Sequence, residues 1–422
     1  MINNILIFVF CLFIFSCSME TVNKFVENNN KKPKIEEPQQ NTPSENSNNE
    51  INSKDKLTNI DVINVIEVVL PSKSENNYIA DSFVNSLEIA VYDLQNESLS
   101  FNVRRYSSDQ ELNKIFFDNS RSGKIFIGPL TTSDTKIVKK YCNKNILIFS
   151  FASDRGLAND CVFLFNFFIE DDLDAIFSYL NEKNKIALLY PNNKYGNYVN
   201  SIIDDYSKKY ESTLIYKIPY NEDLSDIRTI IKQLGRYDFR KKELERQISL
   251  LESKKDEISL ASLKKLKRFE TIGELDFTHL IISDGNIRIL ELAPLLPFYD
   301  IDPNRIKFVG TGLWDEKSFF DEPSLQGAIF PGTELNKRIE FEKKYMDLFL
   351  LPPPRTSTII YDVSSLINYL TITYENFNQI NAFLKGNNRF VGLDGRFSIE
   401  NNLIKRELSI LKIQDGKAEP IM

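Results

Sequence analysis

The sequence predicts an α/β protein whose two lobes each contain a doubly wound, mostly parallel sheet. Apolar runs such as VINVIEVVL (residues 62–70) alternate with amphipathic segments along most of the chain. Near-continuous apolar runs are typical of parallel strands covered on both faces. The alternation comes in two successive series, which implies two parallel sheets with right-handed crossovers. The roughly 360 residues that follow residue 60 also exceed what one core usually supports.

The first series starts with the strand VINVIEVVL, which ends at Pro71. A helix follows, because the next apolar residues share one face at helical spacing. These residues are Ile79, Phe83, Leu87, Ala90, Val91 and Leu94. The next two units are FNVRRY with a helix after it, and KIFIGPL with a helix from Ser133 to Tyr141. The series closes with the strand ILIFSFASD.

The second series repeats this pattern. It starts with the strand KIALLYPNNKYG, a helix to Tyr210, the strand LIYKIPY and a helix to Leu234. The apolar segments HLIISDG, RILELAPLL and IKFVGTGLW follow and are grouped here with the strands.

The N-terminus predicts export. ILIFVFCLFIF is an apolar run too short to span a bilayer but suited to the core of a signal peptide, here residues 1–16. The run ends at FSCS, a pattern typical of bacterial lipoproteins, in which Cys17 would be lipidated. The alternatives are an ordinary cleaved signal peptide and an anchor helix. Ser18, in place of an aspartate, favours the outer membrane as the site of anchorage in the periplasm.

Residues 17–58 predict a disordered tether. The stretch is built from Asn, Glu, Ser, Pro and Lys and has no apolar period, so it cannot bury enough surface to offset its chain entropy. The rest of the chain has a globular composition. The whole sequence is 42% hydrophobic with a net charge of −7, and this acidity argues against a nucleic-acid partner, which would require a basic surface.

The four cysteines fit an exported protein. Cys11 would leave with the signal peptide and Cys17 would carry lipid, which leaves Cys142 and Cys161. An oxidising compartment permits a disulfide between these two. The alternative is a pair of buried free thiols.

Six segments carry a resemblance to a known family. They are YDFRKKELERQ, DEISLASLKKLKRFETIGELDF, LAPLLPFYDIDP, GTGLWD, PPPRTSTIIYD and GLDGRFSI. Together they resemble the penicillin-binding protein activator lipoproteins of the α-proteobacterial type. The order of strands and helices also resembles the type I periplasmic binding-protein (leucine-binding-protein-like) fold. That fold implies a first lobe of residues 60–166 and 334–385, a second lobe of residues 167–333 and 386–415, and a cleft between them.

Polar and aromatic residues at the predicted strand ends are candidates for binding a small polar ligand, since ligands of open α/β sheets lie outside the carboxyl ends of the strands. The candidates are Ser72, Lys73, Thr131, Thr132, Ser133, Ser150, Ser153, Tyr195, Asp284, Thr311 and Trp314. Residues 131–133 begin a helix, where free N–H groups favour a carboxylate. Tyr195 or Trp314 could stack on a ligand, and Asp284 could meet an ammonium group. In the alternative, Ser133 caps its helix and the aromatic residues close an interface.

The sequence offers no catalytic constellation, which predicts that the protein is not an enzyme. His279 is its single histidine and begins a strand, so neither a histidine-based triad nor a metal cluster is expected. No cofactor is predicted. The segment ILIFSFASD ends in SFASD, which carries few hydroxyl groups, and Asp284 lacks a second acid beside it. We therefore expect weak binding of free amino acids.

Residues 237–270 predict a helical hairpin inserted in the second lobe. Leu244, Ile248 and Leu251 fall at helical spacing, as do Leu263 and Leu266, and Ser259 is placed to cap the second helix. The insertion is much longer than the roughly two to six residues that usually connect a helix to a strand. It either packs on its lobe or docks a partner through its lysines. These are Lys254, Lys255, Lys264 and Lys265.

The function that the resemblance implies is activation of a peptidoglycan synthase, a penicillin-binding protein, by direct contact. The alternative is a solute receptor of an ABC transporter for amino acids or similar small polar ligands. A receptor should bind a solute, whereas an activator should bind a protein.

Overall fold

The computed structural model describes residues 64–72, 77–119, 123–180, 183–254, 256–285, 287–333 and 336–421. The predicted signal peptide, the lipidation site Cys17, all of the predicted tether, Lys73 and Lys255 lie outside these ranges. The described residues form two compact units. The first runs to Phe165 and includes Glu340–Ile404, and the second comprises Asn166–Ile339 and the residues from Lys405 onward.

Strands and helices alternate through most of the chain. The first part contains β1 (Val65–Pro71), α1 (Asn77–Leu94), β2 (Ser100–Tyr106), α2 (Asp109–Asn119), β3 (Lys124–Ile127), α3 (Thr132–Val138), β4 (Ile146–Ser150) and β5 (Val162–Leu164). The middle part contains α4 (Ile169–Tyr179), β6 (Lys185–Pro191), α5 (Lys194–Lys209), β7 (Thr213–Tyr220), α6 (Ile227–Leu234), α7 (Tyr237–Glu252), α8 (Glu257–Leu266), β8 (His279–Ile282), α9 (Ile287–Leu292), α10 (Leu295–Phe298), β9 (Lys307–Gly310), α11 (Lys317–Phe320) and β10 (Ile329–Gly332). The last part contains α12 (Asn336–Phe349), α13 (Ser357–Thr373), α14 (Phe377–Leu384), β11 (Arg389–Gly392), β12 (Gly395–Glu400), β13 (Leu403–Arg406), β14 (Ser409–Gln414) and β15 (Lys417–Pro420).

The first unit is built on an eight-stranded sheet in the order β11-β12-β13-β5-β4-β3-β1-β2. Strands β2, β1, β3, β4, β5 and β13 run parallel, and β11 pairs antiparallel with β12. The central strands are apolar on both faces, as the sequence predicted. In β4, all five residues from Ile146 to Ser150 are buried, which is the pattern of a parallel strand covered by helices on both sides.

The second unit is built on a seven-stranded sheet in the order β15-β14-β10-β9-β8-β6-β7. Strands β7, β6, β8, β9 and β10 run parallel. The last two strands pair antiparallel, β14 with β10 and β15 with β14. Because the five parallel strands point the same way, their carboxyl ends share one edge, where ligands bind in open α/β sheets.

The C-terminal strands correct the predicted lobe boundaries. The resemblance placed all of residues 386–415 in the second lobe. In the structure, β11, β12 and β13 extend the sheet of the first unit, with Leu403 of β13 beside Leu164 of β5. Only β14 and β15 join the second sheet. The side chain of Asn402, which precedes β13, donates a hydrogen bond to the carbonyl of Asn159 and so links β13 to the segment before β5.

The segment RILELAPLL is helical, which corrects its grouping with the strands. It forms α9 and α10, whose residues Ile289, Leu292 and Leu296 are fully buried in the core of the second unit. Their spacing of three and four residues is the helical period rather than the alternation of a strand. Pro294 lies between the two helices and separates them.

The predicted hairpin is present in the second unit as α7 and α8. Asp256, and not Ser259 as predicted, caps α8, since its carboxylate accepts the backbone N–H of Ser259 at 2.9 Å. The base of α7 is anchored, because the buried Arg240 donates to the carboxylate of Asp300 at 2.7 Å. Ile258, by contrast, is 80% exposed. The insertion therefore has a buried base and an exposed far end.

Cys142 and Cys161 form a disulfide bond in the structure, with their Cα atoms 5.6 Å apart. The bond lies in the first unit, where Cys142 precedes β4 and Cys161 precedes β5. These strands are neighbours and parallel. The bond therefore links the two segments that lead into adjacent strands.

Candidate functional site

The strand ends of the first unit carry exposed hydroxyl groups on a tightly built turn. Gly128 follows β3 with a φ of +104°, and a Cβ at this position would lie 2.1 Å from the carbonyl oxygen of Val69. Only glycine fits both the conformation and the close approach. The turn that follows presents Thr132, which is partly exposed, and Ser133, which is exposed.

Thr131 caps the short helix α3. Its hydroxyl oxygen accepts the backbone N–H of Asp134 at 3.1 Å and lies 2.9 Å from the hydroxyl of Ser133. The predicted capping role therefore falls to Thr131 rather than to Ser133. The carboxylate of Asp134 is buried and accepts a hydrogen bond from Tyr106 at 2.7 Å, which fixes the start of α3 against the end of β2.

Ser150 is not available to a ligand, which corrects its place among the candidates. It is fully buried, and its hydroxyl lies 2.7 Å from that of Thr135 and 3.2 Å from the carbonyl of Pro129. These contacts tie the end of β4 to α3. Ser72 and Ser153 are exposed at the ends of β1 and β4, so both stay at the surface of the strand-end edge.

The strand ends of the second unit converge on Asp284, which is 2% exposed. Its two carboxylate oxygens accept from the guanidinium of Arg288, from Nε and Nη2, each at 2.7 Å. The Tyr220 hydroxyl and the Gly285 backbone N–H also donate to this carboxylate, the latter at 2.8 Å. The residue predicted to meet an ammonium group therefore already has a cation of its own.

The pKa values of Arg288 and Tyr220, which both donate to Asp284, are raised above their usual range. The hydrogen bond to Asp284 raises the pKa of Arg288. Burial, followed by the charge of Asp284, raises the pKa of Tyr220. The tyrosine stays protonated and the arginine stays charged, so both remain donors to the carboxylate at any physiological pH.

Trp314 lies in the core and cannot stack on a ligand, which corrects that expectation. The indole is fully buried and donates from Nε1 to the backbone carbonyl of Asp284 at 3.0 Å. A Cβ on Gly310 would lie 2.0 Å from the indole ring. The buried tryptophan thus holds the backbone of Asp284 in place through this hydrogen bond.

Tyr195 and Thr311 lie together at the same edge. The Tyr195 hydroxyl donates to Oγ1 of Thr311 at 3.2 Å, and burial raises the pKa of this tyrosine. Beside them, the backbone N–H of Gly312 donates to Asp172 at 2.8 Å. Leu313 is 47% exposed and lies against the Asp284–Gly285 loop. The apolar side chain of Leu313 therefore lies beside hydrogen-bonded polar groups at this edge.

Sequence reasoning did not find Tyr220 or Arg288. The second of these had a signal, because Arg288 follows Asp284 by four residues, a spacing that brings helical side chains together. Tyr220 ends β7, and no local pattern links it to a residue 64 positions later. Only the sheet order, which places β6 between β7 and β8, brings them together.

His279 begins β8 and lies beside Thr278. Its Nδ1 lies 2.9 Å from the hydroxyl of Thr278. Burial, followed by the nearby charge of Lys307, lowers its pKa to about 4. The imidazole is therefore neutral at physiological pH, and it lies at the opposite end of the strand from Asp284.

Of the predicted docking lysines, Lys254, Lys264 and Lys265 are exposed. Among the residues that the structure describes, no group of three or more metal-binding side chains comes together. Within the same ranges, no helix is long and apolar enough to cross a membrane.

Comparisons with known proteins identify the fold. No family model matches the sequence, and no curated protein matches it. Among solved structures, the chain is similar to a branched-chain amino acid ABC transporter periplasmic ligand-binding protein from Burkholderia xenovorans LB400. The TM-score is 0.62 at 10% identity, over 85% of this chain and 94% of that one.

Two further solved structures carry ligands. An ABC transporter substrate-binding protein from Desulfitobacterium hafniense in complex with Leu has a TM-score of 0.55 at 13% identity, over 85% of this chain and 99% of that one. A solute-binding protein from Rhodopseudomonas palustris BisB5 in complex with 3,4-dihydroxybenzoic acid has a TM-score of 0.57 at 12% identity, over 85% and 96%. The chain therefore has the two-lobed fold of type I periplasmic binding proteins, and the fold class predicted from the sequence is confirmed.

Proposed function

We propose that this protein is a periplasmic solute-binding protein, which works by holding a small organic ligand rather than by catalysis. The proposal includes export through the N-terminal signal and anchorage through a lipid on Cys17, with the outer membrane as the favoured location. It is supported by the fold, since the solved structures of similar fold include proteins bound to Leu and to 3,4-dihydroxybenzoic acid. Fold alone does not assign a function, so the groups at the strand ends must support it as well.

The observation that carries the proposal is the arrangement of groups at the carboxyl ends of the strands. In the first unit, Thr132, Ser133 and Ser153 keep hydroxyl groups at the surface. In the second unit, a positioned guanidinium and the exposed Leu313 lie at the corresponding edge. A few placed polar groups beside apolar surface are typical of small-molecule sites.

A thermal-shift screen of the full-length protein in detergent tests this function. A solute that binds the folded protein adds about 2.7 kcal/mol of stability at a hundred times its Kd. We expect at least one small carboxylic acid to raise the melting temperature, with saturation as its concentration increases. Benzoate, 3,4-dihydroxybenzoate, leucine and isoleucine form the first panel. A screen without any saturable shift would contradict the proposal.

A second candidate function is activation of a peptidoglycan synthase by protein contact. The sequence segments that resemble penicillin-binding protein activators favour it, and so does the exposed far end of the helical insertion, where Ile258 is 80% and Leu260 is 53% exposed. Lys254, Lys264 and Lys265 are exposed in the same insertion. Charged residues around apolar side chains suit a protein partner.

Charge reversal of these three lysines to glutamate tests the second candidate. We expect about a tenfold weaker association with the synthase at low salt and a smaller difference at high salt, because exposed charges are screened. The matched control reverses three exposed lysines elsewhere, Lys144, Lys208 and Lys343. Equal effects of the two sets, or no stimulation of the synthase by the wild-type protein, would contradict this candidate.

A further inference from the structure

We propose that Arg288 makes the strand-end site of the second unit selective for organic acids that lack an ammonium group. This inference rests on the proposed solute-binding function and names the class of solute. It starts from the buried carboxylate of Asp284, because an acid at a strand end is the group that would hold the ammonium of a free amino acid.

The hydrogen-bonding capacity of Asp284 is fully used within the protein. One oxygen accepts from Arg288 Nη2 at 2.7 Å and from the Gly285 N–H at 2.8 Å. The other accepts from Arg288 Nε at 2.7 Å and from the Tyr220 hydroxyl. A carboxylate has about four acceptor positions. A ligand ammonium would therefore have to displace one of these donors.

The displacement is unfavourable because the guanidinium of Arg288 binds Asp284 through two hydrogen bonds at once. Two parallel N–H···O bonds between a guanidinium and a carboxylate are the strong, directional form of this pair. Arg288 also lies four residues after Asp284, at the start of α9, so the backbone holds the two side chains near each other. The positive charge at this position is a fixed part of the site.

The exposed part of the pair is cationic. Asp284 is 2% exposed and Arg288 is 24% exposed. The remaining nitrogen, Nη1, lies 3.4 Å from Glu222, whose side chain is 54% exposed. An ion pair with so exposed an acid is screened by solvent and holds Nη1 only weakly. A ligand that approaches the edge therefore meets a guanidinium, which attracts a carboxylate and repels an ammonium.

The experiment compares leucine with 4-methylpentanoate, which has the same carbon skeleton without the amine. For the wild-type protein, we expect the Kd of leucine to exceed that of 4-methylpentanoate by about tenfold or more, as measured by titration calorimetry. Arg288→Ala removes the cation and opens Asp284, so the ratio of the two constants should fall by about tenfold or more. Arg288→Lys retains the charge but cannot form the two parallel bonds to Asp284, so the ratio should fall less than in Arg288→Ala.

Glu222→Gln is the matched control, because it removes an exposed acid next to the same guanidinium without freeing Asp284. It should leave the ratio within about twofold of the wild-type value. If Arg288→Ala does not fold by circular dichroism, Arg288→Gln takes its place, since it removes the charge but can still donate to Asp284. The ratio should then also fall, because the positive charge is lost.

Two outcomes overturn the inference in distinguishable ways. If the wild-type protein binds leucine at least as tightly as 4-methylpentanoate, or if the ratio does not change on loss of Arg288, the role of this residue is wrong while the solute-binding function stands. If neither the wild-type protein nor the variants bind any acid of the thermal-shift panel, the solute-binding function itself fails and the inference fails with it.

Discussion

Trp314→Ala should lower the free energy of unfolding by about 3–5 kcal/mol, the range for removal of a large aromatic side chain from a core. Trp314 is fully buried and packs edge-on against Phe319, with ring centroids 6.4 Å apart. Its indole also donates to the carbonyl of Asp284. Chemical denaturation followed by circular dichroism measures the loss, because Trp314 is the single tryptophan of the sequence and its fluorescence is absent from the variant.

Trp314→Phe separates the two contributions of this residue. It keeps an aromatic ring in the core but removes the N–H donor, which leaves a buried carbonyl without that partner at a cost of about 1–3 kcal/mol. We expect its loss of stability to be smaller than that of Trp314→Ala. A Trp314→Ala variant within 1 kcal/mol of the wild-type protein would contradict the buried position of the indole.

Asp315→Ala should destabilise the second unit by about 3–5 kcal/mol, because it removes the acid from a buried ion pair. The side chains of Asp315 and Arg338 are 3% and 7% exposed. They meet through two hydrogen bonds, one of them from Nη2 of Arg338 to Oδ1 of Asp315 at 2.7 Å. The pair ties the GTGLWD segment to the start of α12.

The double variant Asp315→Leu with Arg338→Met is the control for this pair. Replacing both charges by apolar side chains should recover most of the loss, since the desolvation of two charges offsets much of their attraction. Denaturant unfolding of the single and double variants gives the coupling between the two residues. If the double variant loses more free energy of unfolding than the single variants Asp315→Leu and Arg338→Met lose together, the ion pair does not have the role assigned here.

Much of the fold could be predicted because strands covered on both faces leave an apolar run. The run before Pro71 and the run ILIFS form β1 and β4, and the predicted charged hairpin forms α7 and α8. RILELAPLL was misassigned because its apolar content is that of a strand, although its period is that of a helix. The lobe boundaries near the C-terminus were wrong because short antiparallel strands carry no mark of the sheet that they will join.

The candidate site was less predictable than the fold. Strand ends can be located from the sequence, but the direction of each side chain depends on its neighbours in space. Ser150 turns inward to Thr135, and Trp314 fills the space beside Gly310. Asp284 was found by its position, while the tyrosine on its carboxylate comes from a distant segment and the arginine from the start of the helix that follows. The chemistry that follows from their contacts, a neutralised acid, is opposite to what an isolated aspartate suggests.

Titration calorimetry of the full-length protein tests the claim that it holds a small organic solute at its strand ends. We expect a saturable heat with a one-to-one stoichiometry for at least one small carboxylic acid, and a much weaker response to leucine. Saturable binding should also appear as the stabilisation expected from mass action. The absence of saturable heat for every acid and amino acid tested, from a preparation that stimulates a peptidoglycan synthase, would contradict the claim in favour of the protein-contact function.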